Sequence, residues 1–196
     1  MPKPSLKDAI LDAGLRVMFR AGYHGASVRD VVQEAGAPQG SFTNHFRSKE
    51  AFASEVLERY FSHVQGLVAL ALDDRSLTPR ARLRRYLDII TGRLAADDWM
   101  RGCLIGDLSL EASGSSELLR AQLDTIFRAW RTPFAACIAE AQQSGEIAAD
   151  FAPDELAEFL LASWQGAMLR MKVERSAAAL ERFKIIAFNT VFKEPS

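Results

Sequence analysis

The sequence predicts an all-α protein of about nine helices in two parts, a small three-helix head and a larger helical body. Three observations predict this. No segment alternates polar and apolar residues with a period of two, whereas apolar residues recur three and four apart through most of the 196 residues. Helix start and stop signals punctuate those runs. Residues 27–49, SVRDVVQEAGAPQGSFTNHFRSK, read as two short helices joined by a tight Gly-containing turn, the helix-turn-helix signature.

Each element has its own warrant. Met1–Pro4 reads as a mobile arm. Ser5, with Asp8 three residues on, caps a first helix to about Ala21, whose apolar stripe is Leu6, Ala9, Ile10, Ala13, Val17 and Met18. Ser27 and Asp30 form a capping-box pattern for the second helix, with Val28, Val31, Val32 and Ala35 facing inward. Gly36 falls where a left-handed residue ends a helix, and Pro38 suits the first turn of the next, roughly Pro38 to His45. That helix is the one offered to a DNA major groove. The expected head core is Ile10, Leu15, Phe19, Val28, Val31, Val32, Phe42 and Phe46.

Ser48 caps a long fourth helix, about Lys49 to Leu72, which connects head and body. After a polar break at Asp73–Leu77, Thr78-Pro79 opens helix five, to about Ala96. Asp97–Gly102 is a loop. Helix six, about Cys103 to Ala112, stops at Ser113-Gly114-Ser115. Helix seven covers about Ser116 to Ser144 and ends at Gly145. Pro153-Asp154-Glu155 opens helix eight, to about Arg175, and helix nine covers about Ala177 to Phe192. The domains are expected at residues 1–48 and 49–196.

The net charge of −1 argues against bulk affinity for nucleic acid, but its distribution is uneven. Up to Lys49, seven basic residues against four acidic ones give +3, leaving −4 for the remainder. A basic head on an acidic body fits a DNA reader with a separate second function. The longest apolar run, Leu67–Leu72, is far short of the ~20 residues of a membrane span. Lys3 and Lys7 precede no apolar signal-peptide core, so a cytoplasmic location is expected. Two cysteines, Cys103 and Cys137, are too few for a disulfide framework. His24, His45 and His63 are not set at metal-ligand spacing, so no metal and no cofactor is expected.

From about Lys7 to Leu57 the chain resembles the N-terminal domain of the TetR family of transcriptional regulators. The resemblance rests on Gly22-Tyr23, Ser27-Val28-Arg29-Asp30-Val31, Ala35-Gly36-Ala37-Pro38-Gln39-Gly40-Ser41-Phe42 and His45-Phe46-Arg47-Ser48-Lys49-Glu50. It implies a homodimer, built on the last two helices, that reads a palindromic DNA operator through two heads. It places Gln39, Ser41, Asn44 and His45 on the DNA-facing side. Gln39 and Asn44 carry amides able to pair bidentately with adenine, and Ser41 and His45 can donate to bases or phosphates. Ser27 and Lys49 stand at helix starts, where backbone N–H groups also favour phosphate. Gly40 lets the backbone approach the duplex. Thr43 stands where the family commonly has a phosphate-touching aromatic, keeping a hydroxyl with less reach. Pro38 replaces a more usual hydroxyl residue.

The body of such a regulator usually holds a small-molecule pocket. Here Gly102-Cys103-Leu104-Ile105-Gly106-Asp107-Leu108-Ser109-Leu110-Glu111 and Trp164-Gln165-Gly166-Ala167-Met168-Leu169-Arg170-Met171-Lys172 resemble a subgroup responsive to N-ethylmaleimide and bleach or to acrylate. Cys103, expected in the first turn of helix six, gains thiolate character from the helix N-terminus. A thiolate attacks activated alkenes, aldehydes and quinones. By resemblance, Lys172 pairs with Cys103 as a second sensor residue. Trp99, Phe127, Trp130, Trp164 and Met168 are expected pocket walls, since pockets are mostly apolar and aromatic.

The plainer reading makes Cys103 a small buried hydrophobe, and it is the reading taken for Cys137. A regulator of a non-covalent ligand with an inert Cys103 is one alternative, and a constitutive DNA-binding protein is another. An enzyme with a nucleophilic Cys103 would need a base, and no histidine follows His63.

Overall fold

The computed structural model of the chain describes residues 5–194, so the arm expected at Met1–Pro4 lies outside the described residues. Among those residues there are nine helices and no strand. They are α1 (Leu6–Gly25), α2 (Val28–Glu34), α3 (Ser41–His45), α4 (Lys49–Leu72), α5 (Pro79–Ala95), α6 (Leu104–Glu111), α7 (Glu117–Gln143), α8 (Pro153–Glu174) and α9 (Ala178–Thr190). The chain divides into two compact units. Among the described residues, one runs up to His63 and takes in Leu104–Ile126; the other holds Val64–Cys103 and the chain from Phe127.

The first unit is built on α1. Ser5 accepts a hydrogen bond from the Asp8 N–H at 3.1 Å, satisfying one orphan donor of the first turn. Helical geometry fails at Gly22, whose φ of 72° is open to glycine at little cost. The Ser27–Asp30 capping box forms in full: the Asp30 N–H donates to Ser27 Oγ at 3.1 Å, and the Ser27 N–H donates back to Asp30 at 3.4 Å. Gly36, at φ 61°, lets the chain leave α2, with the Ala37 N–H donating to the Val32 carbonyl at 2.9 Å.

The sequence places the start of α3 at Pro38, but the helix itself covers only Ser41–His45. Pro38–Ser41 is instead a turn closed by the Ser41 N–H on the Pro38 carbonyl at 2.9 Å. Gly40, which precedes the helix, has no side chain with which to cap it.

Phe42, Phe46 and Phe52 make a mutual ring cluster, with centroids 4.9–5.2 Å apart, and all three are buried. Such pairs contribute about 0.5–1.5 kcal/mol beyond their burial. Gly14 makes room for the cluster, since a Cβ there would sit 2.2 Å from Phe52 Cζ. Of the expected head core, Ile10, Val31, Val32, Phe42 and Phe46 are buried. Leu15, Phe19 and Val28 are only half-buried, because Phe52, Val56 and Leu57 of α4 take the central places. Phe19 packs edge-on to Tyr60 instead.

In the second unit, Thr78 caps α5 and Pro79 occupies its first turn. Pro133 lies inside α7 without ending it. The core holds Leu83, Tyr86, Leu87, Phe134, Ile138, Leu160, Trp164, Leu180 and Phe192. Two charged side chains are buried with it. Arg82 donates to the Leu72 carbonyl at 2.7 Å and pairs with Glu140, and Lys184 pairs with Asp88 and Glu181, each at 2.7 Å. Buried charge persists only when paired in this way. The α8 and α9 helices pack together, with Trp164 5.5 Å from Phe183. Leu156, Leu160, Leu180 and Ala187 turn inward, while Phe159, Leu169, Val173, Ile185 and Ile186 stay between 44% and 76% exposed.

Candidate functional site

The recognition segment divides by face. Phe42 and Phe46 are one helical turn apart and both enter the core, which leaves Gln39, Gly40, Thr43, Asn44 and His45 exposed. Ser41, expected to donate to DNA, is only 7% exposed. The Thr43 hydroxyl donates to the Gly40 carbonyl at 3.0 Å, tying the turn to α3. Ser27 Oγ is committed to its cap, donating to Asp30 at 2.6 Å while accepting the Asp30 N–H.

Lys49 is half-buried. Its Nζ donates to the His24 carbonyl at 3.1 Å and lies 5.0 Å from the Tyr23 ring centroid. Burial lowers the Lys49 pKa, while the charge of Glu111 works the other way. Nothing in the sequence pairs His24 with Glu111. They stand 87 residues apart in the chain and meet only when α6 packs on α1. Of the basic residues counted in the head, Arg16 and Arg20 pair with Glu34, at 2.8 and 3.3 Å.

Cys103 immediately precedes α6, at the cap position and not in the first helical turn that the sequence predicts for it. It is 6% exposed. The structure brings it beside Tyr86 of α5 and Trp130 of α7, both buried. Burial pushes the Tyr86 phenol far above its ordinary value, a thiolate at Cys103 would push it further, and the Trp130 indole acts in the opposite sense. The Trp130 Nε1 makes no hydrogen bond of ordinary geometry, so a buried donor is left beside the thiol and the phenol. Tyr86 is held edge-on by Phe134 at 4.9 Å. It had no distinguishing mark in the sequence beyond its place on the apolar stripe of α5.

Trp164, Met168 and Lys172 follow one another at four-residue spacing along α8. The first two are buried and Lys172 is half-buried. Trp164 Nε1 and Gln165 Nε2 are also buried without a hydrogen-bond partner. Phe127 is half-buried on α7. Trp99 is half-buried in a left-handed conformation, φ 60°, and its carbonyl accepts from Arg175 at 3.2 Å. A bulky residue rarely adopts that backbone. Cys137 is a different kind of thiol. Its Sγ donates to the Pro79 carbonyl at 3.3 Å, and burial pushes its pKa up to about 11. Among the described residues no group of three potential metal ligands occurs, and no helix is long and apolar enough to cross a membrane.

A three-helix head whose short third helix turns Thr43, Asn44 and His45 to solvent, followed by a larger helical body, has the build of a helix-turn-helix DNA-binding regulator. Comparison with known proteins gives the family. Residues 10–56 match the family described as bacterial regulatory proteins, tetR family, and residues 79–186 match the Tetracyclin repressor-like C-terminal domain. The chain belongs to the TetR family of transcriptional regulators, which are not enzymes. It is 42% identical over 191 residues to the HTH-type transcriptional repressor DhaR of Mycobacterium sp. strain GP1, covering 97% of this chain and 94% of that protein. Among solved structures, it matches a regulatory protein TetR from Rhodobacter sphaeroides with a TM-score of 0.88 and 34% identity, over 93% of this chain and 97% of that one. The reduced form of NemR from Escherichia coli aligns with a TM-score of 0.86 and 27% identity, over 98% and 100% of the two chains.

Proposed function

We propose that the protein is a homodimeric repressor released from a palindromic operator by a small electrophile acting at Cys103. The observation that carries this reading is the position of Cys103: buried, at the N-terminal cap of α6, beside the Tyr86 phenol and near the Trp130 indole. Helix-terminal N–H groups favour the thiolate. On an activated alkene that thiolate forms a C–S bond at the β-carbon, and the displaced π pair takes up a proton at the α-carbon. The adduct adds bulk to a packed interior, which accommodates added volume poorly. By linkage, the modified form must bind operator less well than the unmodified form.

Residues 1–48 read DNA in this proposal, and residues 49–196 sense and dimerise. Gln39 and Asn44 read bases; Gly40, Thr43 and His45 lie along the backbone; Ser27 and Lys49 meet phosphate chiefly through helix-start geometry. Ser41 supports the helix from inside. Lys172, on the row with Trp164 and Met168, supplies a cation on the sensor side, and Trp99, Phe127 and Trp130 wall it. The exposed apolar residues of α8 and α9 favour a partner copy over permanent exposure. The protein would work in the cytoplasm, where a reducing milieu keeps the thiol available.

A second reading keeps the repressor and makes Cys103 inert beside a non-covalent ligand, since Trp130, Trp164 and Gln165 offer buried, unused donors. One titration separates the two. Operator DNA from upstream of the protein's own gene is followed by fluorescence anisotropy at fixed salt, because phosphate contacts make affinity salt-dependent. The wild type and Cys103→Ser are challenged with N-ethylmaleimide, acrylate and hypochlorite. Release of the wild type alone is the expected result. Release of both by acrylate would favour the reversible pocket, and release of neither would sink the electrophile reading.

A further inference from the structure

The corner between α1 and α2 is gripped from two sides at a single residue, His24. Its backbone N–H donates to the Glu111 carboxylate at 3.1 Å, and its carbonyl accepts from Lys49 Nζ at 3.1 Å. Its ring Nε2 lies 2.9 Å from the Glu111 carbonyl oxygen. A carbonyl only accepts, so that ring nitrogen must carry its proton. Glu111 is the last residue of α6 and Lys49 the first of α4. Gly22 completes the arrangement: a Cβ there would stand 2.4 and 2.6 Å from the two Glu111 carboxylate oxygens, and its φ of 72° strains any other residue. Three residues past His24, Ser27 opens α2.

We propose that Glu111 is a positioning residue for operator binding, holding the α1–α2 corner in the pose from which α2 and α3 meet DNA. This rests on the reading of the first unit as a DNA reader. Glu111 itself touches no DNA in this account; it acts through His24. Glu111 meets His24 through both its carboxylate and its backbone carbonyl, and only the first of these is removed by changing its side chain.

Charge and position make opposite predictions here, which is what makes the proposal testable. Removing an acidic group that packs against a DNA-reading head should, by long-range electrostatics alone, tighten binding. Loss of a positioning contact should weaken it. Glu111→Ala and the near-isosteric Glu111→Gln are compared with wild type on the upstream DNA fragment across a salt series. The expected result is an affinity about tenfold lower for Glu111→Ala, in line with one lost charge-assisted hydrogen bond. Glu111→Gln should fall in between. The slope of log affinity against log salt should stay unchanged, whereas loss of a phosphate contact would reduce it by about one unit.

Gly22→Ala should evict the same carboxylate, so the double variant should lose less than the two single losses combined. Amide exchange in peptides covering residues 22–30 should speed up in both Glu111 variants while the rate of Cys103 alkylation by N-ethylmaleimide stays put. Unchanged or tighter operator binding by Glu111→Gln would overturn the proposal. If the wild type bound no such DNA, the DNA-reading assignment would fail on its own, and unchanged exchange at 22–30 would still overturn the positioning role of Glu111.

Discussion

Both thiols of this chain are buried, and they stand in different surroundings: Cys103 beside Tyr86 at the start of α6, Cys137 against the backbone of α5. Cys137 is shut in and hydrogen-bonded to the Pro79 carbonyl, and its pKa is pushed up to about 11, so at neutral pH it is a protonated core side chain. Because burial disfavours the charged form, its alkylation should stay negligible until pH approaches that value or the fold opens. Intact-mass measurement after brief N-ethylmaleimide treatment at pH 7 should therefore find a single adduct, on Cys103, and none in Cys103→Ser. A matching contrast holds on the recognition helix. Asn44→Ala should cost about 1–3 kcal/mol of operator binding and relax preference at one base pair, the usual size of a lost amide–base contact. Ser41→Ala, at a buried position, should act on stability and leave base preference intact.

Among the elements, α2 carries a pH-sensitive contact at its N-terminus. The Ser27 hydroxyl, hydrogen-bonded at 2.6 Å, holds the Asp30 carboxyl below its ordinary pKa. A carboxyl depressed in the folded state stabilises the fold above the unfolded pKa of about 3.9, and that contribution is lost as pH falls through the folded value. Asp30→Asn should consequently flatten the acid limb of a plot of melting temperature against pH. Ser27→Ala removes the cap itself and should cost about 1 kcal/mol at neutral pH. In the second unit, Glu140→Ala leaves Arg82 buried with its counter-charge gone. Since Glu140 is itself 38% exposed, the loss should be about 1–2 kcal/mol, below the ~3–5 kcal/mol of a fully buried pair.

These elements were legible to different degrees. Caps wrote α4 and α5 into the sequence almost to the residue, because Ser48 and Thr78-Pro79 are local signals. The short α3 and the break at Gly22 were not readable in that way. The first depends on a turn that Pro38 and Gly40 only permit, and the second answers to a carboxylate far along the chain.

At the level of the whole molecule, what sequence could not supply was partnership at a distance. Tyr86 beside Cys103 and Glu111 beside His24 join residues that share no period, motif or charge pattern. Nor does any local signal announce that Leu104–Ile126 clusters with the head-bearing unit. The apolar faces of α8 and α9 were readable, because Phe159 and Ile186 fall on helical stripes. If those faces meet a second copy, Ile186→Glu should convert a dimer to monomers in sedimentation analysis and reduce operator affinity by well over tenfold, since each monomer then holds one half-site alone.

The chain also sorts its own chromophores. Its three tryptophans, Trp99, Trp130 and Trp164, all fall in the second unit, while two of its three tyrosines, Tyr23 and Tyr60, belong to the first. Light absorbed selectively by indole is therefore emitted by one half of the molecule only. Any compound tested for binding could be titrated by tryptophan emission while labelled DNA is read in another colour, giving two optical channels on one sample with no engineered label in the protein.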